Sequence, residues 1–296
     1  MKQIHAGVLN VAYLETGPVE GPAAVVLLHG FPYDVHAYDK VAATLAAAGC
    51  RCIVPWLRGY GATRFISTAT PRSGEQAALG ADLLALLDAL NLERAVLAGY
   101  DWGGRAACVV AALWPERAAG LVSCEPGYNI QDIAQASKPL PPEAEQRLWY
   151  QYYLHGDRGY AGLDANRDAF CRLLWQLWSP GWRFTDEQFE ATARAFRNPD
   201  FVEVVTHSYR HRFGLVEGDP QYAPIEQQLA QQPGIAAPTV ILTGTGDGVA
   251  AVQDEQQAFS RFNGPVRRVM LEGVGHNVPQ EAPVQFAQAV LSLIQP

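Results

Sequence analysis

The sequence predicts an α/β protein: a mostly parallel central sheet, flanked by helices and interrupted by an inserted helical segment. Three observations carry this expectation. Short apolar runs alternate with helix-period stretches through the first 125 residues, residues 127–234 hold no strongly strand-like run, and the alternation resumes at Pro238. Strands that alternate with helices imply crossover connections, which cover both faces of a parallel sheet.

Each element follows from its local pattern. Val25–Leu28 reads as a buried strand ending at His29-Gly30-Phe31-Pro32, and Val35–Ala48 as a helix closed by Gly49. Cys50–Val54 is a second strand stopped by Pro55, with Cys50 and Cys52 on one face as small hydrophobes. Ala77–Leu90 has apolar residues at helical spacing, and Ala95–Ala98 is a strand running into Gly99. A helix then reaches Trp114-Pro115, followed by the strand Ala119–Cys124. After the insertion come strands at 238–242 and Val266–Leu271 and a helix from Gln280 to Ile294. The expected organisation is a core of residues 1–126 and 235–296 around a helical segment, 127–234.

Composition bounds the function. The 296 residues are 49% hydrophobic, enough for a sizeable core without disulfides or a structural metal, and too apolar for disorder or fibrous repeats. Lys+Arg total 22 against 30 Asp+Glu, a net charge of −8 with no basic cluster, so nucleic acid and anionic membranes are poor partners. The five cysteines form no CxxC pair, the N-terminus lacks a signal-like apolar stretch, and no run is long enough to span a bilayer. The expectation is a soluble cytoplasmic protein acting on a small molecule, with no cofactor or metal and with a homodimer left open.

Four short segments carry chemistry. Gly99-Tyr100-Asp101-Trp102-Gly103-Gly104 lies where a strand meets a helix, an arrangement in which small neighbours permit a strained turn that presents one side chain, here Asp101. A plainer reading is a Gly-rich turn with Asp capping a helix. His29-Gly30-Phe31-Pro32 follows the first central strand, where an oxyanion-hole loop belongs. Asp247 follows the next-to-last strand in a Gly-rich turn, and His276 follows the last strand in Gly273-Val274-Gly275-His276-Asn277. The order nucleophile, acid, histidine is that of α/β-hydrolases.

Over nearly its whole length the sequence therefore resembles the α/β-hydrolase superfamily. Its Asp-Trp-Gly-Gly elbow resembles the branch holding epoxide hydrolases and haloalkane or haloacetate dehalogenases. The resemblance implies that the insertion is a lid, with the active site between lid and core. An aspartate is already anionic at neutral pH, and its attack on an ester would form only a reactive anhydride. Attack on a saturated carbon bearing a leaving group instead gives an ordinary ester, which water activated by His276 can hydrolyse. Asp247 would orient His276, and the backbone N–H groups of Phe31 and Trp102 would stabilise the oxyanion. An apolar epoxide or an organohalide is the expected substrate.

An opening epoxide needs a proton donor, whereas a halide needs only weak ones. Trp149-Tyr150-Gln151 and His207-Ser208-Tyr209-Arg210 resemble the places where epoxide hydrolases carry two lid tyrosines, which makes Tyr150 and Tyr209 the candidate acids. Trp102 is a candidate wall residue because the resembling branch carries Trp after the nucleophile, and Trp149 because four tryptophans fall within Trp149–Trp182. Arg105 matches a carboxylate-binding arginine of the haloacetate group, although a salt-bridged helix residue is the plainer reading. If Arg105 faces the pocket, a carboxylate-bearing substrate becomes credible. Glu125, at the end of its strand, is an alternative acid. His207 and His211, four apart on a helix, lack a third metal ligand. The leading expectation is an epoxide hydrolase, with a dehalogenase second and a non-catalytic binding protein third.

Overall fold

The computed structural model describes residues 1–21 and 23–294. A nine-stranded sheet runs in the order β1-β2-β4-β3-β6-β7-β8-β9, with the short β5 beside β2. The strands are β1 (Lys2–Ala6), β2 (Leu9–Thr16), β3 (Ala24–Leu28), β4 (Arg51–Pro55), β5 (Arg64–Phe65), β6 (Ala95–Gly99), β7 (Ala118–Cys124), β8 (Thr239–Gly244) and β9 (Val266–Leu271). From β4 through β9 every pairing is parallel. Two strands precede those expected from the apolar runs: β1 and β2 form an antiparallel hairpin that pairs with β4, so the sheet is mixed.

Right-handed crossovers fix the layers. Helix α1 (Asp39–Ala47) carries the chain from β3 outward to β4, while α2 (Gln76–Ala89) and α3 (Asp101–Leu113) carry it the other way, to β6 and β7. These senses put α1 on one face with the C-terminal helix Pro283–Ile294, and α2 with α3 on the other. Small residues let α3 lie close: Ala106, Ala107 and Ala111 are fully buried. The reversal of direction at β3 leaves a crevice beyond the C-terminal ends of β3 and β6, where open α/β sheets bind ligands.

Two expected helices are divided. Val35–Tyr38 is a 3-10 turn and only Asp39–Ala47 is α-helical. The last helix breaks at Ala282, because Pro283 disfavours helical backbone in the residue before it, giving Val278–Glu281 and Pro283–Ile294. Between β7 and β8 the described residues form helices and turns without a strand. This segment is seated on the crevice. Trp175 donates from Nε1 to the Pro32 carbonyl at 2.8 Å, and Thr192 donates to buried Asp34 at 2.9 Å. Asn198 donates to the Thr63 carbonyl at 2.7 Å.

Candidate active site

Asp101 opens α3 with φ of +49°, left-handed backbone that costs an ordinary residue about 1–2 kcal/mol. Crowding holds it there. A Cβ on Gly103 would lie 2.0 Å from the Leu28 carbonyl oxygen, and one on Gly30 would lie 2.5 Å from the Asp101 Cβ. Leu28 and Gly99 are register partners, so the loops after β3 and β6 leave side by side. The Phe31 N–H accordingly donates to Asp101 Oδ1 at 2.8 Å. Trp102 sits in the first helical turn, where backbone N–H groups have no intrahelical partner.

His276 Nδ1 is 2.8 Å from Asp247 Oδ2, and its Nε2 is 3.7 Å from Asp101 Oδ2. Asp247 is itself fixed, with Oδ1 accepting from the N–H groups of Val249 and Ala250. Burial works against a charge on His276, but the Asp247 and Asp101 carboxylates prevail and raise its pKa to about 10. Asp101 answers in kind: burial would lift its pKa, but His276, Arg212 and the Phe31 N–H carry it below the usual range. The resting pair is carboxylate and imidazolium.

Glu125, the alternative acid, does not meet His276. Its Oε2 accepts from the Thr243 hydroxyl at 2.6 Å and its Oε1 from the Gln253 N–H at 3.1 Å, so it ties β7 to β8 and the loop beyond. His207 is likewise spent on backbone, accepting from the Gly74 N–H and pairing with the Glu217 carbonyl.

The insertion brings Tyr150 and Tyr209 together, with ring centres 5.4 Å apart, and Tyr209 lies 5.4 Å from Phe31 and 5.9 Å from Trp102. Both are buried. Burial pushes both phenols upward, helped by the Asp101 charge at Tyr150 and by Tyr150 and then Asp101 at Tyr209, so they remain protonated donors. Tyr150 Oη accepts from Gln151 at 3.0 Å, whereas the Tyr209 hydroxyl and the Trp102 indole N–H have no hydrogen-bond partner among the described residues.

Two expectations change. Trp149 packs on Phe170 and Tyr153 and touches the group only through the Tyr150 ring, 6.5 Å away. Trp178 takes that place, 4.9 Å from the Tyr150 ring and 5.1 Å from His276, because it lies on the buried face of the helix Arg167–Trp178. Among the described residues no carboxylate forms a salt bridge with Arg105; its Nε donates to the Asn129 carbonyl at 3.1 Å and its side chain lines a cleft.

The sequence reading also left three supports without a role. His29 is fully buried, pairs through Nδ1 with the Gly30 carbonyl and accepts the Leu57 N–H on Nε2, which anchors the loop carrying Phe31. Burial lowers its pKa to about 4, so the ring is neutral. Ser179 accepts the His276 N–H and donates to Glu281, whose other oxygen accepts the Gly275 N–H. Arg212 lies over the Tyr209 ring at 4.4 Å. Only the HGFP motif hinted at any of these, through His29.

Comparison with known proteins agrees with this geometry. Residues 23–283 match the family described as alpha/beta hydrolase fold. Epoxide hydrolase A of Mycobacterium tuberculosis is 26% identical over 93% of this chain and 91% of its own length. An epoxide hydrolase of Caballeronia sordidicola is 25% identical over 93% and 88%. The crystal structure of a candidate epoxide hydrolase from Klebsiella pneumoniae superposes with a TM-score of 0.97 at 47% identity, covering 100% of this chain and 97% of that one.

Proposed function

The chain belongs to the α/β-hydrolase fold family, and from that premise we propose that it hydrolyses epoxides to diols through an ester on Asp101. The observation that carries this reading over dehalogenation is the buried tyrosine pair, with the Tyr209 hydroxyl free to donate. Asp101 attacks a ring carbon, the C–O bond breaks, and the departing oxygen takes a proton from a tyrosine. Forming the ester removes one of the two anions that hold the proton on His276. The imidazolium then reprotonates the tyrosinate and becomes the neutral base of the second step.

In that step His276 takes a proton from water and the hydroxide adds to the ester carbonyl. The Phe31 and Trp102 N–H groups stabilise the oxyanion. Collapse expels the alkoxide, which takes the second water proton from the regenerated Asp101 carboxyl and leaves as the diol, with Asp101 anionic, the tyrosine protonated and His276 charged as at the start. Residues 127–234 serve as the lid. The five buried free cysteines support a reducing compartment such as the cytoplasm.

An intact-mass measurement tests the scheme. The His276→Asn variant, incubated with styrene oxide, should gain the mass of the whole epoxide on Asp101. A gain from chloroacetate that is short by one hydrogen chloride, with none from epoxides, would replace this reading by dehalogenation. Turnover by the wild type with no adduct in the variant would refute the covalent route.

A further inference from the structure

The helix Arg167–Trp178 of the insertion ends against the two loops that carry the acid and the base. Its last carbonyl, that of Trp178, accepts from the Gly248 N–H at 2.9 Å and from the His276 N–H at 3.2 Å. Gly248 directly follows Asp247, so a single oxygen joins the acid loop to the base. A helix leaves its last four carbonyls without intrahelical donors, and here the core supplies two donors to one of them. The approach is close, since a Cβ on Gly248 would lie 2.0 Å from the Leu177 carbonyl oxygen. Within the core the loops are tied earlier along each, by the Gly246 N–H on the Val274 carbonyl at 2.9 Å. At His276 itself the tie comes from the insertion.

Ser179, the next residue, adds a second link. Its Oγ accepts the His276 N–H at 3.0 Å, so its hydrogen turns to Glu281 Oε1, 2.7 Å away. The same oxygen accepts from the Asn277 N–H at 3.1 Å, and Oε2 accepts from the Gly275 N–H at 2.8 Å. A carboxylate that faces three donors needs no proton of its own, and it gives the Ser179 hydroxyl one orientation. The main chain is thus gripped on both sides of His276, while the Trp178 ring lies 5.1 Å from the imidazole. Asp101, by contrast, takes its hydrogen bond from the Phe31 N–H, outside this network.

We propose that Ser179 and Glu281, with the Trp178 carbonyl, are positioning groups through which seating of the insertion sets His276 for ester hydrolysis. This deepens the epoxide hydrolase reading and rests on it for the step affected. The Asp247–His276 contact holds only while the two loops keep their spacing, and a misplacement of about 1 Å costs about a hundredfold in rate. Attack by Asp101 needs no such link. Ester formation is therefore largely independent of the clamp, whereas breakdown of the ester waits on a seated insertion.

The test resolves the two steps. Rapid quench of purified enzyme with styrene oxide, read by intact mass, gives the rate constants of ester formation and ester hydrolysis. Ser179→Ala and, separately, Glu281→Gln should slow hydrolysis by about tenfold or more and formation by less than about threefold, so that the ester accumulates during turnover. Thr192→Val removes a hydrogen bond of the same seam that involves neither loop, and it should leave the ratio of the two constants as in the wild type. Folding is checked by circular dichroism. Unchanged hydrolysis, equal slowing of both steps, or the same altered ratio in Thr192→Val would overturn the clamp while leaving epoxide hydrolysis intact. If the wild type turns over no epoxide, the hydrolase reading fails, and nitrogen NMR of the His276 ring decides the clamp alone. The ionisable groups facing the imidazole are Asp101, Asp247, Tyr33 and Tyr100, with Glu281 behind its main chain. Ser179→Ala removes none of them, so a change in the ring's titration reports its position. Drawn away from Asp247 and from the negative end of the helix, the ring should lose its proton about one pH unit lower than in the wild type. The same titration in both proteins would end the proposal.

Discussion

The sheet-borne half of the site and the helical half are built by different means. Below, the two carboxylates are held by hydrogen bonds from the main chain beyond a strand end, Phe31 on Asp101 and Val249 and Ala250 on Asp247, and Asp247 in turn holds the His276 ring. Above, Tyr150, Tyr209 and Trp178 are placed by aromatic packing, with a single side-chain hydrogen bond, from Gln151 to Tyr150. Main-chain hydrogen bonds fix position to a fraction of an ångström, as an attacking atom requires. Packing fixes a wall and leaves hydroxyls free to meet whatever oxygen develops there. Under the proposed route, formation and breakdown of the ester would fall to the lower half and leaving-group chemistry to the upper.

The sharpest break of this division is at the acid. Asp247→Asn should lower kcat by about four orders of magnitude, as removal of a triad acid does, while Glu125→Gln stays within about threefold of the wild type in steady-state assays. The reverse result would move the acid to Glu125. Tyr209→Phe should slow ester formation by about a hundredfold in single-turnover experiments. Tyr150→Phe should act on the same step, and slowing confined to ester hydrolysis would contradict the assignment.

Two histidines make the lower half sensitive to pH in opposite senses. His276, raised to about 10, contributes stability that is complete below its unfolded value near 6.5 and is lost as pH rises through about 10. His29, lowered to about 4, contributes stability that is complete above 6.5 and is lost as pH falls toward 4. Urea titrations across this range should therefore find maximal stability near pH 6.5, and Asp101→Asn should flatten the alkaline limb. The smallest effect concerns the seam between the halves. Thr192→Val removes one of three hydrogen bonds accepted by buried Asp34 and should cost about 1–2 kcal/mol in the same titrations.

What the sequence disclosed divides along the same line. Asp101, Asp247 and His276 were legible because main-chain placement leaves a local mark: a glycine-rich turn directly after an apolar run. The hairpin Lys2–Thr16 left none. β1 is largely exposed, and the partners of β2 include the Glu15 ion pairs with Lys2 and Arg51, so its alternation is diluted by charge. In the insertion, composition marked an aromatic wall but not which face of each helix turns inward. Trp149 was therefore named where Trp178 stands. His29 acts on Leu57, 28 positions along the chain, Glu281 on Ser179, 102 positions back, and Arg212 through stacking on Tyr209, and such contacts exist only once the chain is folded.

The absent side chains at Gly30 and Gly103 let one loop lie against the Asp101 side chain and the helix start lie against the Leu28 main chain. Such a floor cannot be remodelled piecemeal, since an added carbon at either glycine collides with the Asp101 side chain or with the end of the neighbouring strand. The two halves therefore differ in what a substitution costs: in the floor an added carbon meets atoms within 2.0–2.5 Å, whereas in the ceiling the Tyr209 hydroxyl has no hydrogen-bond partner among the described residues to lose.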